Sequence, residues 1–335
     1  MLNACIIGFG AIAPVHAKAI CEIENGKIYG ICDIDKSRAD NAASKYGAKA
    51  FYSIDDALKD KNIDVVHICT PHYLHAEMAI KALQSGKNVV LEKPAAMTEE
   101  DYENLLCEYK KHGKKVCVVF QNRTNTCIQM LKEIVETNDF GKLKGISGAM
   151  RWSRDESYYR HDSWRGKLKT EGGGVLINQS VHLLDLMLYF GKNVKSVCAD
   201  MSNKSLRGVI EVEDTVDALI EFSSGVRGLF YATNSYSVNQ PFQLELNFEN
   251  ATFRYADNNL YKIVNGEHTF ICRNNAQIPG KDYWGGGHKH VLFDFYNALE
   301  QKSDSYIDLN DSINTMKTMF AIYKSANSKG EYVTL

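Results

Sequence analysis

The sequence predicts an α/β fold: a doubly wound parallel sheet, followed by an α+β domain built on a large, mainly antiparallel open sheet. Three observations carry this. Residues 1–121 alternate short apolar strands with helical segments, the pattern of a parallel sheet with right-handed crossovers. The first strand runs directly into Gly8-Phe9-Gly10-Ala11-Ile12-Ala13. Beyond residue 122 strand candidates follow one another through turns such as Ser223-Ser224-Gly225, as antiparallel neighbours do. A chain of 335 residues suggests about two domains, expected here at 1–121 and 122–335.

Composition narrows the class. A hydrophobic fraction of 44% and a charged fraction of 24% are those of an ordinary globular protein. A formal net charge of −2 argues against a nucleic-acid partner, which needs a basic stripe. No apolar run approaches membrane-spanning length. The N-terminus goes straight into a strand without a signal-peptide pattern, so a cytoplasmic location is expected. The nine cysteines are scattered and contain no C-x-x-C, which reads as reduced core cysteines and no zinc site.

In the first domain, strand 2–7 ends at the G-x-G-x-x-A run, and a helix follows over 14–24. Gly8 permits a tight turn, Gly10 lets a pyrophosphate approach the backbone, and Ala13 lets helix and strand pack closely. The helix N-terminus, reached through Phe9, Ala11 and Ile12, offers free N–H groups to an anion. This is the Rossmann dinucleotide fingerprint. Strand 27–32 ends at Asp33-Ile34, and Asp33 lies 25 residues after Gly8. A carboxylate there accepts from ribose hydroxyls and repels a 2′-phosphate, which favours NAD over NADP. Lys36 and Arg38 soften that preference; the structural alternative for Asp33 is a helix cap.

Further strands are expected at 50–52, 63–69, 87–91 and 115–120, with helices at 36–46, 55–59, 72–85 and 98–112. Two strand ends stand out. Strand 63–69 runs into Thr70-Pro71-His72, with His75 one helical turn on. His72 and His75 share a helix face, where they contact the cofactor or, with no third ligand nearby, less readily hold a metal. Strand 87–91 ends in Glu92-Lys93-Pro94. Pro94 removes a backbone donor and keeps Lys93 out of the helical region. Lys93 therefore sits at a strand's carboxyl end, where open α/β sheets bind ligands; a plain surface ion pair is the alternative.

The second domain opens after Gln121-Asn122-Arg123 with a helix over 124–136 and a strand over 143–154. Strands follow at 194–202, 214–222, 227–236, 242–248, 252–255 and 268–272, and helices at 286–301 and 310–328 close the chain. Between them lies the glycine-led segment 171–185. Asn178 and His182 are four apart, so on a helix they share a face, with Asp185 on the same side. Such a polar stripe on an otherwise apolar helix needs partners. Tyr158, Tyr159, Trp164 and Arg165 precede the glycines.

The arrangement resembles the glucose–fructose oxidoreductase / inositol dehydrogenase (Gfo/Idh/MocA) family over the whole chain. The resemblance rests on Gly8, Gly10 and Ala13, on Thr70-Pro71 with His75, and on Glu92-Lys93-Pro94. The segment from Gly172 to Asp185 with His182, Gly287-His288 and the closing helix toward Ser325 complete it. It implies a two-domain NAD- or NADP-dependent enzyme acting on sugars or polyols, with the nicotinamide held between the domains. It implies homodimers or homotetramers built on the second domain's sheet. It implies Lys93 and His182 as the catalytic lysine and histidine, and a loop with Tyr159, Trp164 and Arg165 facing nicotinamide and sugar. Many members carry Asp where this chain has Asn178; an amide takes no proton, so base work falls to Lys93 or His182. The Asn-Gln run before His182 resembles the branch acting on sugar nucleotides and glycosides.

The resulting expectation is an NAD-dependent oxidoreductase that moves a hydride between a sugar-derived ring hydroxyl and nicotinamide, with Lys93 and His182 as acid–base pair. The expected cofactor contacts are Gly8 to Ile12, Asp33, Ile34, Thr70, Pro71, His72, His75, Glu92, Lys93, Trp164 and Arg165. The expected substrate contacts are Lys93, Asn122, Tyr159, Arg165, Asn178 and His182, with no metal. One alternative is an enzyme that oxidises transiently and eliminates a glycosidic group; another is a non-catalytic NAD-and-sugar sensor.

Overall fold

In the computed structural model, which describes residues 1–161, 163–274 and 286–335, the chain forms two compact units. The first comprises Met1–Phe120 and His288–Ser312, the second Gln121–Gly287 and Ile313–Leu335.

The first unit holds six parallel strands in the order β3-β2-β1-β4-β5-β6. They are β1 (Leu2–Ile7), β2 (Gly26–Cys32), β3 (Lys49–Phe51), β4 (Val65–Ile68), β5 (Asn88–Leu91) and β6 (Val116–Val118). β4 is buried throughout, as a central parallel strand covered on both faces must be, and β6 at the sheet's end is buried as well. The helices are α1 (Ala13–Cys21), α2 (Lys36–Tyr46), α3 (Ile54–Lys59), α4 (His75–Gln84) and α5 (Glu99–His112). Their ends are written in sequence. The Asp35 side chain accepts from Arg38 N at the start of α2, and Gly47 closes it in the left-handed conformation. The Thr98 side chain caps α5, whose first turn is acidic and last turn basic, as the helix dipole favours.

The domain boundary departs from the expected one. The first closing helix, α10 (His288–Gln301 in chain order), belongs to the first unit, because its apolar face completes that core. Val291, Leu292, Phe295 and Tyr296 pack with Ile6, Ile20 and Val90. At Gly26 a Cβ would come within 3.0 Å of the Tyr296 ring, so this seam tolerates little more than glycine.

The second unit is built on nine strands, β14-β13-β12-β11-β7-β10-β9-β8-β15, antiparallel except for β7 with β10. They are β7 (Leu143–Arg151), β8 (Val194–Ser202), β9 (Thr215–Phe222), β10 (Arg227–Thr233), β11 (Gln243–Phe248), β12 (Thr252–Ala256), β13 (Asn259–Val264), β14 (Glu267–Arg273) and β15 (Val333–Thr334). The expected strands 143–154 and 227–236 end three residues early, and β13 and β15 are additional. The unit's helices are α6 (Thr126–Thr137), α7 (Glu156–His161), α8 (Leu168–Glu171), α9 (Val181–Gly191) and α11 (Ile313–Asn327). One sheet face is covered by α9 and α11; on the other, Leu219 and Leu229 are paired in register and 41% and 52% exposed. Among the described residues no helix is long and apolar enough to cross a membrane.

Candidate active site

In the first unit the chain leaves β1 toward β2 and β3, then restarts on the other side with β4, so β1 and β4 flank the topological switch point. The carboxyl ends of β1, β4 and β5 therefore lie side by side, carrying Gly8, Thr70 and Lys93.

Gly8 has φ +81°, and a Cβ there would lie 2.8 Å from the Thr70 methyl and 3.1 Å from the Cys69 carbonyl. A Cβ on Gly10 would meet nothing within 4 Å, and Gly10 and Ala11 are exposed in front of α1. Pro14 sits in the first turn of α1, where its missing N–H costs nothing. Asp33 is 5% exposed and shapes the turn itself: Oδ2 accepts from Phe9 N at 2.8 Å, Oδ1 from Asp35 N at 2.9 Å. Arg38 also donates to both Asp33 oxygens at 3.3–3.4 Å and pairs with Asp35, while Lys36 lies over the Tyr52 ring. Ile34 beside it is 92% exposed. A buried carboxylate, an open backbone next to Gly10 and the free end of α1 together fit a dinucleotide.

The histidines after β4 differ from expectation. His72 lies in a 3-10 turn, His72–Leu74, and α4 begins only at His75, so they do not share one α-helical face. The His75 ring turns inward: Nδ1 is 2.7 Å from the Pro94 carbonyl and Nε2 is 2.8 Å from the Thr70 carbonyl. Burial holds its pKa below the ordinary value, although both carbonyls favour the protonated ring. His75 thus ties together the loops after β4 and β5. Among the described residues, no three His, Cys, Asp or Glu side chains gather as metal ligands.

Lys93 is half-buried and the Lys93–Pro94 peptide is cis. Glu92 is 6% exposed, and its Oε1 accepts from His16 Nε2 at 2.9 Å. Burial presses this carboxyl up, but His16, His288 and Lys93 bring it down to about 2.

In the second unit the segment expected as one helix is broken. Leu176–Ser180 is a π-helical turn and α9 starts at Val181, an insertion that often marks functional positions. The glycines before it have packing reasons. Gly172 is left-handed at φ +86°, while side chains on Gly173 and Gly174 would collide with the Tyr323 hydroxyl and the Glu213 carbonyl. Buried Glu213 accepts from Gly174 N at 2.9 Å, Leu176 N at 3.0 Å and Tyr323 OH at 2.9 Å.

The polar stripe finds partners the sequence did not name. Asp185 is 1% exposed and takes a fork from Arg123, at 2.8 Å from Nε and 2.6 Å from an amino nitrogen. Thr315 adds a third donor at 2.8 Å. Asp185 is therefore a structural anchor. Asn178 donates through Nδ2 to Glu171, a fully buried carboxyl that also accepts from Gly166 N. An ionised Asp at 178 could only accept, and then only from a protonated Glu171, whereas the amide donates whichever state Glu171 is in. Burial pushes Glu171 up to about 7 against these donors. His182 Nε2 lies 3.4 Å from Gln121 Nε2, and Asn122 Oδ1 accepts from Asn125 at 3.2 Å. Asn234 links Gln179 at 3.0 Å to the Tyr159 hydroxyl at 3.1 Å. Arg165 lies over the Tyr158 and Trp164 rings and donates to the Tyr158 hydroxyl. Tyr159 and Arg165 line a cleft of about 330 Å³ with Arg160, Lys167 and Glu211; Asn178 and His182 are not on its wall.

Sequence comparison agrees with this architecture. Residues 2–120 match the oxidoreductase family with NAD-binding Rossmann fold, and residues 128–254 match the GFO/IDH/MocA C-terminal domain. The chain is 25% identical over 295 residues to glucose-6-phosphate 3-dehydrogenase of Bacillus subtilis strain 168, covering 84% of this chain and 83% of that protein. It is 26% identical to D-glucoside 3-dehydrogenase of Escherichia coli K12, covering 98% and 96%. The WlbA dehydrogenase from Bordetella pertussis, solved in complex with NADH and UDP-GlcNAcA, superposes with a TM-score of 0.87 at 28% identity, covering 100% of this chain and 98% of that one. With both halves matched in chain order, the protein belongs to the Gfo/Idh/MocA family of NAD-dependent oxidoreductases.

Proposed function

We propose that the chain oxidises a ring hydroxyl of a derivatised sugar, or reduces the matching ketone, with Lys93 as the group that takes or returns the hydroxyl proton. The observation that carries this is the neighbourhood of three strand ends: Gly8 after β1, Thr70 after β4 and Lys93 after β5, at the switch point of the sheet. NAD, when bound there, supplies the hydride acceptor. Asp33 receives the ribose hydroxyls, the N-terminus of α1 receives the pyrophosphate, and Lys93 holds the proton at Nζ. We assign His182 a hydrogen bond to the substrate and a share of the proton transfer. We give Asn178, held by Glu171, a second hydrogen bond to the substrate. We assign Tyr159 and Arg165, which line the cleft, an aromatic face and a guanidinium to meet a sugar ring and an acidic substituent.

The relatives named for a sugar phosphate and a glucoside, and the WlbA complex with UDP-GlcNAcA, make substituted sugars the first candidates, with free polyols tested beside them because relatives named for inositol match too. We read the open sheet face around Leu219 and Leu229 as the seat of a second copy, giving a dimer or tetramer that sedimentation would distinguish from a monomer. The test is a panel of sugar phosphates, glycosides, sugar nucleotides and free polyols, read by NADH absorbance and product mass. Ketone formed in step with NADH supports the dehydrogenase reading. A freed glycosidic group without net NADH points to elimination instead.

A further inference from the structure

A buried polar chain runs from Glu92 into the core of the first unit, and the reaction proposed above does not use it. His16 Nε2 is 2.9 Å from Glu92 Oε1, His16 Nδ1 is 3.0 Å from His67 Nδ1, and His67 Nε2 is 2.9 Å from the Tyr296 hydroxyl. His16, His67 and Tyr296 are 0% exposed. These residues come from α1, β4 and α10, so three elements converge on the residue before Lys93.

The geometry admits two proton counts. With His16 neutral, Tyr296 donates to His67, His67 Nδ1–H donates to His16, and His16 Nε2–H donates to Glu92. With one more proton, His16 donates from both nitrogens, and His67 reverses to accept at Nδ1 and donate from Nε2 to the Tyr296 oxygen. All three contacts remain hydrogen bonds in either state. The states differ in what Lys93 feels. Beside neutral His16, Glu92 is an uncompensated carboxylate that holds Lys93 protonated. Beside imidazolium His16, the Glu92 charge is already met and Lys93 gives up its proton more readily.

We propose that His16, backed by His67 and Tyr296, is a positioning residue that takes up the charge of Glu92 and so frees Lys93 to act as a base. Its consequence for activity rests on the reading of Lys93 as the acid–base group. Burial presses His16 down, and the Glu92 carboxylate at 2.9 Å pulls it up; the Cys69 thiol, itself raised by burial, brings no charge at neutral pH. The groups facing His16 are Glu92, His67, Cys69 and His288, whose Nε2 is 3.9 Å from Glu92 Oε1. Among the described residues, those facing Lys93 include Glu92, His75 and His288. His16 is the histidine hydrogen-bonded to Glu92, at 2.9 Å against 3.9 Å for His288, so we place the extra proton there; burial drives His67 and His288 down.

The experiment is nuclear magnetic resonance on protein labelled with ¹⁵N at histidine and lysine, with Lys93 assigned by Lys93→Met. The expected result is an imidazolium at His16 in neutral buffer. In His16→Gln, which keeps a neutral donor on Glu92, the Lys93 titration should move up by about one to three pH units. In His67→Phe, which removes the acceptor for the second His16 proton, it should move the same way by less. A bare nitrogen on His16 at neutral pH, or a Lys93 titration unmoved in both variants, would overturn the proposal. The readout is the lysine's own titration, so it is separable from turnover: a Lys93→Met protein with full activity strikes the acid–base reading, an unmoved titration strikes this one.

Discussion

Replacing Glu171 by glutamine should remove a pH dependence from the second unit's stability. Glu171 is 0% exposed, and burial raises it from the ordinary value of 4.5 to about 7. The folded pKa lies above the unfolded one, so its contribution is fully present below about 4.5 and is lost as pH rises through about 7. At 1.36 kcal/mol per pH unit, that shift corresponds to about 3 kcal/mol. The introduced glutamine has no charge to bury, and an Asn178 amide turned over would still meet it: the new amide oxygen accepts from Gly166 N, and the new amide nitrogen donates to Asn178. Glu213 is raised for the same reason, but both proteins share it and it cancels in the difference. The assay is urea unfolding followed by tryptophan fluorescence at pH 5 and pH 8.5; Trp152 and Trp164 lie in the second unit and report on it. Glu171→Gln should gain about 2.5 kcal/mol on wild type between the two pH values, since at pH 5 the unfolded carboxyl is already largely ionised. Parallel pH dependence in the two proteins would refute the assignment of a buried, weakly acidic Glu171.

Two further outcomes follow from the geometry. Arg123→Met should cost about 3–5 kcal/mol, because Asp185 stays buried with Thr315 as its remaining described donor, and Asp185→Leu added to it should recover most of that in denaturant titrations. NADH should bind more tightly than NADPH, since Asp33 is a buried carboxylate and Arg38 is spent on Asp33 and Asp35; calorimetric titration of both would contradict this if NADPH bound more tightly.

The first unit is readable in the sequence because its signals are local. Strand length, the Gly8-to-Ala13 turn and the Asp33 strand end each depend on a few adjacent residues. The caps at Asp35 and Thr98 do too. What escapes is non-local. Nothing near Tyr296 in sequence says that α10 folds back onto α1 and meets His67, residues 229 apart. Arg123 and Asp185 pair across 62 positions, so the polar stripe looks like a site where its end is a buried ion pair. Strict 3.6-residue periodicity over 172–185 has no place for a π turn. The additional strand β13 is different, since Asn265-Gly266 is a strong hairpin signal; both residues have positive φ, as such a turn requires. β13 itself is half-buried along most of its length, so its buried and exposed positions do not alternate cleanly. The glycine run 172–174 is visible, but its cause lies in Glu213 and Tyr323, far along the chain.

The most direct test of the account is NADH formation by wild type and Lys93→Met with the same substituted-sugar substrate, alongside NAD binding by each. The account predicts NAD affinity within a few-fold and turnover lower by about 10²–10⁴ in the variant, the range for a general acid–base group. Turnover at the wild-type rate in Lys93→Met would contradict it.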